Sequence, residues 1–294
     1  MDNNLFTIKD LENLSGIKAH TIRIWEQRYT FLKPSRTTTN IRYYTNEELK
    51  IILNVSLLNK YGFKVSHINK LSDAEVQEKI LTLNQTEAQQ ERLVNELIQH
   101  MIEIKLDKFE AILDTSIMIR GVDKTINQLV FPFLEKIGFL WLTNHVNPAQ
   151  EHLVTNIIRQ KIIIGIEKAP AIATSAKSII LFLPEGEHHE LGLLFMHFML
   201  KSKGIKVIYM GSAVPIKDVK YLVEKLNPTY LYTHLTVVGR NFNFEKFLAN
   251  LYEVVPNIPL VVSGYLASSY SKTVPPNTQL KSTLKSVTDF ISMI

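Results

Sequence analysis

The chain has 294 residues, 46% of them hydrophobic and 21% charged, which is room for two or three compact units of ordinary globular composition. Its formal charge of +5 says little about nucleic acid until the placement of that charge is known. The absence of cysteine excludes disulfides, thiolate metal sites and cysteine nucleophiles and suits a cytoplasmic setting. No run reaches ~18 uncharged apolar residues, so no membrane span is expected, and residues 1–14 lack the apolar core of a signal peptide.

Residues 1–75 read as short helices with a basic, turn-rich gap, residues 86–168 as long helices only, and residues 177–294 as alternating strands and helices. Polar stretches at 84–90 and 170–177 read as linkers.

In the first part Thr7 is placed to cap a short amphipathic helix. Gly16 follows in a tight turn, and a second helix runs from about Ala19 to Arg28. Helix, glycine-bearing turn and helix make a helix-turn-helix pattern. Lys18, Arg23 and Arg28 fall on or beside the second helix, where Ile22 and Trp25 can face inward. Residues 33–44 carry Lys33, Arg36 and Arg42 with Tyr43 and no acid. A basic, aromatic-bearing hairpin beside a helix-turn-helix suits a wing that clamps phosphates while the helix enters the major groove. Read singly, each of these arginines is equally a solvated surface charge.

The second part holds helical segments at about 90–106, 107–120, 122–142 and 148–166, with apolar residues three and four apart, as in Leu93, Leu97, Met101 and Ile104. Gly121 separates the second from the third, and Pro148 suits a first helical turn. The pattern is that of a four-helix bundle. Trp141 ends the third segment, and Glu151 and His152 open the fourth. These three can line a pocket, or be a core tryptophan and a glutamate favoured by the helix dipole.

The third part starts with a buried-type strand at 178–183, a polar loop at 184–190 and a helix at about 191–201. Strands at 205–210, 230–235 and 260–263 alternate with helices at 216–226 and 244–254, and a last strand and helix fall within 279–293. This alternation implies a parallel, doubly wound sheet, which binds ligands outside the carboxyl ends of its strands. The loop after the first strand carries Glu185, Glu187, His188, His189 and Glu190. A neutral imidazole is a common transition-metal ligand, and a carboxylate on its far nitrogen fixes the tautomer. A lone histidine there is equally part of an exposed polar loop.

The run Thr21-Ile22-Arg23-Ile24-Trp25-Glu26-Gln27-Arg28-Tyr29, followed by Pro34-Ser35-Arg36 and Arg42-Tyr43-Tyr44, resembles the MerR family across about residues 5–72. The resemblance implies a homodimer on double-stranded promoter DNA, with Lys18, Arg23, Arg28, Arg36, Arg42 and Tyr43 touching the duplex. The metal sensors of that family carry cysteines beyond this module, and this chain has none.

Trp141, nine residues, then Glu151-His152 resembles the helical cap of cobalamin photoreceptor regulators of the CarH/LitR type. There the tryptophan covers the corrin, and the glutamate and histidine flank the 5′-deoxyadenosyl ligand. Glu187-x-His189-x-x-Gly192 resembles the Asp-x-His-x-x-Gly motif of base-off cobalamin-binding domains, with His189 as the cobalt ligand and Glu in place of Asp. Val214 fits the loop after the second strand, Thr233-His234-Leu235 stands for Ser-x-Leu, and Ser263-Gly264 for Gly-Gly. In the family Gly192 and Gly264 would make room for the corrin and its buried nucleotide tail. Those photoreceptors can carry a second cobalt-capturing histidine after the tryptophan. Here that residue is Leu142, with His145 nearby on the loop.

The fold these readings predict is multi-domain, α and α/β: a winged helix-turn-helix, a four-helix bundle and a doubly wound, Rossmann-like cobalamin-binding domain. The function implied is a light-responsive repressor holding adenosylcobalamin, active on DNA in the dark, assembling as a dimer of dimers. The alternative is a MerR-type regulator whose degenerate cobalamin domain serves oligomerisation or partner docking. An enzyme is not expected, since no residues remain for a substrate barrel.

Overall fold

The computed structural model describes residues 5–142, 146–169, 175–236 and 242–294, without the side chains of 139–142. Its packing divides the chain into two compact units, Met1–Ile158 and Arg159–Ile294. The boundary falls inside a long helix.

In the first unit, α1 (Ile8–Ser15) is opened by a capping box and closed by a positive-φ glycine. Thr7 N–H donates to Asp10 Oδ2 at 2.7 Å, and Gly16 takes φ 74°. Helix α2 (Ala19–Arg28) buries Ile22 and Trp25, as the pattern requires. Strands β1 (Ser35–Arg36) and β2 (Arg42–Tyr43) form an antiparallel wing. The wing is tied to the start of the unit by a Phe6–Tyr44 bridge with both backbone bonds at 2.8 Å. Helix α3 (Asn46–Lys60) follows a second capping box and carries much of this core through Leu49, Ile52 and Leu53. Short helices α4 (Val65–Ile68) and α5 (Asp73–Leu81) follow.

The long helices are α6 (Thr86–Ile102), α7 (Leu106–Thr125), α8 (Phe131–Leu142) and α9 (Pro148–Lys168). The expected linker at 84–90 is instead largely the first turn of α6. Its polar residues form the solvated face, and Ala88 is fully buried beneath them. Gly121 breaks α7, as the sequence implies, at φ 81° and ψ 167°. The predicted helix over 122–142 is interrupted by a π-helical turn, Ile126–Val130. Pro132 offers no N–H to the carbonyl four residues back, and the widened turn falls just before it. Within this unit α1 packs on α8, and α3 on α6.

The second unit is a parallel sheet between two helical layers. It comprises β3 (Ser178–Pro184), α10 (Leu191–Ser202), β4 (Lys206–Val214), α11 (Ile216–Leu226), β5 (Tyr230–His234), α12 (Phe244–Val254), β6 (Leu260–Ser263), α13 (Tyr265–Ser269), β7 (Thr278–Lys281) and α14 (Leu284–Met293). Strand order is β4-β3-β5-β6-β7, every pairing parallel. Alternation along each strand sends Leu181, Tyr232 and Val261 to the face covered by α10 and α14. It sends Ile180, Leu231 and Val262 to the face covered by α11 and α12. Strand β4 runs four residues beyond the predicted 205–210, through register shifts opposite Phe182 and Pro184, with Gly211 at φ 82°. The chain reverses direction across the sheet between β3 and β5. That switch point is where a parallel sheet opens a crevice.

Candidate functional site

On the first unit, Arg23 and Arg28 stand exposed on α2, and Lys18 just before it is exposed and paired with Glu12 at 3.3 Å. Arg36 is exposed on the wing and donates to Asn40 Oδ1 at 2.6 Å. Arg42, expected at the duplex, is held by an acid on α2. Its Nε donates inward to Glu26 Oε2 at 3.0 Å, and the side chain is only 27% exposed. The buried Tyr44 hydroxyl donates to the other oxygen of the same carboxylate, Oε1. Burial first, and then the Glu26 carboxylate, push the Tyr44 hydroxyl far above its ordinary pKa. Glu26 thus joins the end of α2 to the wing, a strut that a search for cations in the sequence passes over. Tyr43 is half-buried on β2.

At the head of α9, Glu151 and His152 are neighbours whose side chains approach to 3.3 Å, with His152 72% exposed. The Trp141 side chain and His145 lie outside the described residues.

On the second unit, the loop after β3 places Glu187 fully buried at the β3/β5 switch point. Its Oε1 accepts the backbone N–H of His188 and of His189, each at 2.9 Å, and the His189 ring at 2.6 Å. Its Oε2 accepts the backbone N–H of Thr236, after β5, at 2.9 Å. The carboxylate therefore bridges the two loops that border the crevice. Burial would raise the Glu187 pKa, but the His189 ring and the backbone N–H groups outweigh it and hold the pKa below the usual range. Since a carboxylate only accepts, His189 carries its proton on Nδ1 and keeps its lone pair on Nε2. The ring is 42% exposed. The carboxylate fixes the tautomer and orientation of this half-exposed imidazole, as the partners of metal-ligating histidines do.

The neighbouring Glu190 is also committed. It accepts from Arg159 at 3.0 Å and from the Tyr209 hydroxyl at 3.1 Å. Val214 is buried and lines a recess of about 490 Å³ with Pro184, Gly186 and Lys246.

The remaining motif residues do not share one slot. Thr233 and Leu235 are fully buried on the α11/α12 side by strand alternation, and the Thr233 hydroxyl has no hydrogen-bond partner among the described residues. Ser263 lies on the other side, its hydroxyl 2.6 Å from Tyr232 Oη and 2.8 Å from His234 Nδ1. Gly192 was expected to make room for the corrin and its tail. Instead a Cβ there would collide with Cδ2 and Nε2 of the His234 ring. Gly264, expected to admit the nucleotide tail, sits against Leu235, and a Cβ there would collide with the Leu235 carbonyl oxygen. The chain's own atoms take up both spaces. His234, a spacer in the motif, is the residue sequence reasoning missed.

Residues 6–75 match the MerR HTH family regulatory protein family, and residues 93–164 match the B12 binding domain family. A region similar to the MerR helix-turn-helix family is thus followed by one similar to the B12 binding domain family. It is 26% identical over 279 residues to the HTH-type transcriptional repressor CarH of Myxococcus xanthus, covering 92% of each chain. It is likewise 26% identical over 269 residues to the repressor CarA of the same organism, covering 91% of this chain and 89% of that one. A solved structure of the Methanosarcina barkeri monomethylamine corrinoid protein superposes with a TM-score of 0.53 at 11% identity, covering 69% of this chain and 99% of that one. This last likeness concerns the fold alone. Both of these curated relatives are named as transcriptional repressors. No described helix is long and apolar enough to cross a membrane.

At His189 the residues present fit the cobalt of a corrin, to which one oriented imidazole could offer a nitrogen donor. At the two glycines the space a side chain would take is occupied by the His234 ring and by the Leu235 backbone.

Proposed function

We propose that the chain is a cytoplasmic, cobalamin-dependent repressor that responds to light, binding promoter DNA in the dark with adenosylcobalamin loaded. The observation that carries this reading is the Glu187–His189 pair at the switch point, its imidazole held by a buried carboxylate with the lone pair on Nε2. The length of the alignment to the two repressors supports it. His189 would hold cobalt, and Glu187 would fix the ring and raise its basicity. The Trp141, Glu151 and His152 group would line the adenosyl side. The cofactor, when bound, supplies a photolabile cobalt–carbon bond. On the DNA side, Arg23, Arg28, Lys18 and Arg36 would touch phosphates or base edges, and Glu26 would set the wing through Arg42 and Tyr44.

A ligand shifts an equilibrium only by binding two states unequally. The dark, adenosyl-loaded state would favour a dimer of dimers, whose several wings gain affinity on one operator through effective concentration. With Leu142 in place of a histidine, light would leave cobalt less firmly captured.

The test is to load the full chain with adenosylcobalamin in darkness, record its visible spectrum, and run sizing chromatography dark and after green light. The reading expects a base-off, histidine-ligated spectrum and a larger dark assembly. A chain that stays colourless would refute it. The second reading, a degenerate cobalamin domain kept for oligomerisation, has one observation in its favour: the His234 ring over Gly192. A colourless chain that still forms its dark-state oligomer would select it.

A further inference from the structure

The end of the sheet that carries His189 holds a second imidazole. His234 is the last residue of β5, and its ring lies over the first turn of α10 at Gly192. Its Nδ1 is 2.8 Å from Ser263 Oγ, which is 2.6 Å from Tyr232 Oη. Counting donors fixes the protons. Tyr232 is buried, and among the described residues its hydroxyl meets only Ser263, so it donates there. Ser263 then donates to His234 Nδ1, and His234 carries its own proton on Nε2, the nitrogen against Gly192. The ring is anchored on one edge and packed on the other.

This matters if His189 ligates cobalt, the reading on which the inference rests. A corrinoid whose metal accepts a protein imidazole from below must release its own nucleotide base and house it elsewhere. The space that the missing side chain of Gly192 leaves on the first turn of α10, three residues after His189, is already filled by an imidazole, that of His234. Admitting a base there would expel the His234 ring and break its bond to Ser263. At Gly264 the space a side chain would take is likewise occupied, by the Leu235 backbone.

We propose that His234 is a specificity-determining residue: its ring stands where a corrinoid's nucleotide base would be buried, so the chain holds corrinoids by the macrocycle and His189 without regard to the lower nucleotide. The ligand class is then wider than cobalamin and includes corrinoids with other lower bases or with none. A base that gains no buried site still has to be displaced from cobalt, so a tail-free corrinoid binds at least as well as the complete one.

The experiment titrates adenosylcobalamin and adenosylcobinamide, in darkness, into the full chain and into His234→Ala, following the absorbance change on histidine ligation. The unaltered chain should bind adenosylcobinamide as tightly as adenosylcobalamin or more tightly. His234→Ala, with the space opened, should shift the ratio toward adenosylcobalamin by about tenfold, the scale on which a pocket rewards a newly buried apolar group. Tighter binding of adenosylcobalamin by about tenfold in the unaltered chain overturns the inference on the same scale, and so does a ratio that His234→Ala leaves unchanged. The comparison in the unaltered chain is decisive even if the variant misfolds. Binding of neither corrinoid defeats the His189 reading and this inference with it. Binding of both with a tail-favouring ratio defeats this inference alone.

Discussion

Replacing Glu187 by Gln keeps the shape of the side chain and removes its charge, and the geometry gives the consequence a sign. Among the described residues the carboxylate accepts three N–H groups on Oε1 and one on Oε2, and the side chain is fully buried. A glutamine has one acceptor oxygen, so its amide must face either the Thr236 N–H or the three donors of the His189 loop. The better choice still sets two donors against each other at Thr236, leaving a buried N–H unsatisfied at about 1–3 kcal/mol. Weakening the charge-assisted bonds to the loop adds to that, for a total loss of about 2–4 kcal/mol. His189 also loses the partner that orients it, and changes of that kind typically reduce metal affinity by about 10–100-fold. Denaturant unfolding at pH 7 reads the first effect, and a corrinoid titration on the folded variant reads the second. A Glu187→Gln protein as stable as the unaltered chain, with equal corrinoid affinity, would refute the bridging role assigned to this carboxylate.

Other outcomes follow from the same geometry. His189→Ala should abolish the histidine-ligated spectrum while His188→Ala retains it, and a loss shared equally by both would mean the ligand register is wrong. Arg23→Ala should weaken DNA binding and lower its salt slope by about one unit, the amount expected when one phosphate is no longer neutralised, as read by gel shifts at several salt concentrations. Glu26→Gln removes a negative charge beside the DNA face, so electrostatics alone predicts tighter binding. The strut to Arg42 and Tyr44 predicts weaker binding, and the direction of the gel-shift change decides between them. His234 is held neutral by burial, its pKa lowered to about 4. Below the ordinary histidine value the unfolded chain takes a proton that the folded chain refuses, so stability present at pH 7 is lost as pH falls toward 4. The cost is about 2 kcal/mol at pH 5. His234→Gln should lose that much less between pH 7 and pH 5 in denaturant unfolding, and an identical pH dependence in both proteins would contradict it.

Periodicity made most of the fold legible. Ile22 and Trp25 on one side of α2, the glycine break at Gly121, and the strand–helix alternation after Ser178 each follow from local chemistry. The π-helical turn before Pro132 was not readable, because a proline inside an apolar run marks a disturbance without saying what form it takes. In the site, the Glu187–His189 pair was legible because two residues of spacing bring carboxylate and imidazole together in one loop. His234 was not. Its partners Gly192 and Ser263 are 42 and 29 residues away in sequence, and only the sheet brings them together. The ion pair of Arg42 was not legible for a related reason: its carboxylate partner, Glu26, lies on another element, 16 residues away.

The central claim is that one chain couples corrinoid chemistry at His189 to DNA binding through α2 and the wing. The most direct measurement selects a binding sequence from random duplexes with the adenosylcobalamin-loaded protein in darkness. It then determines affinity for that duplex in matched dark, green-lit and cofactor-free samples of the unaltered chain and of His189→Ala. The account predicts tight binding only for the dark, loaded, unaltered protein, with weakening on illumination that His189→Ala does not show. Equal affinity in every sample would contradict it.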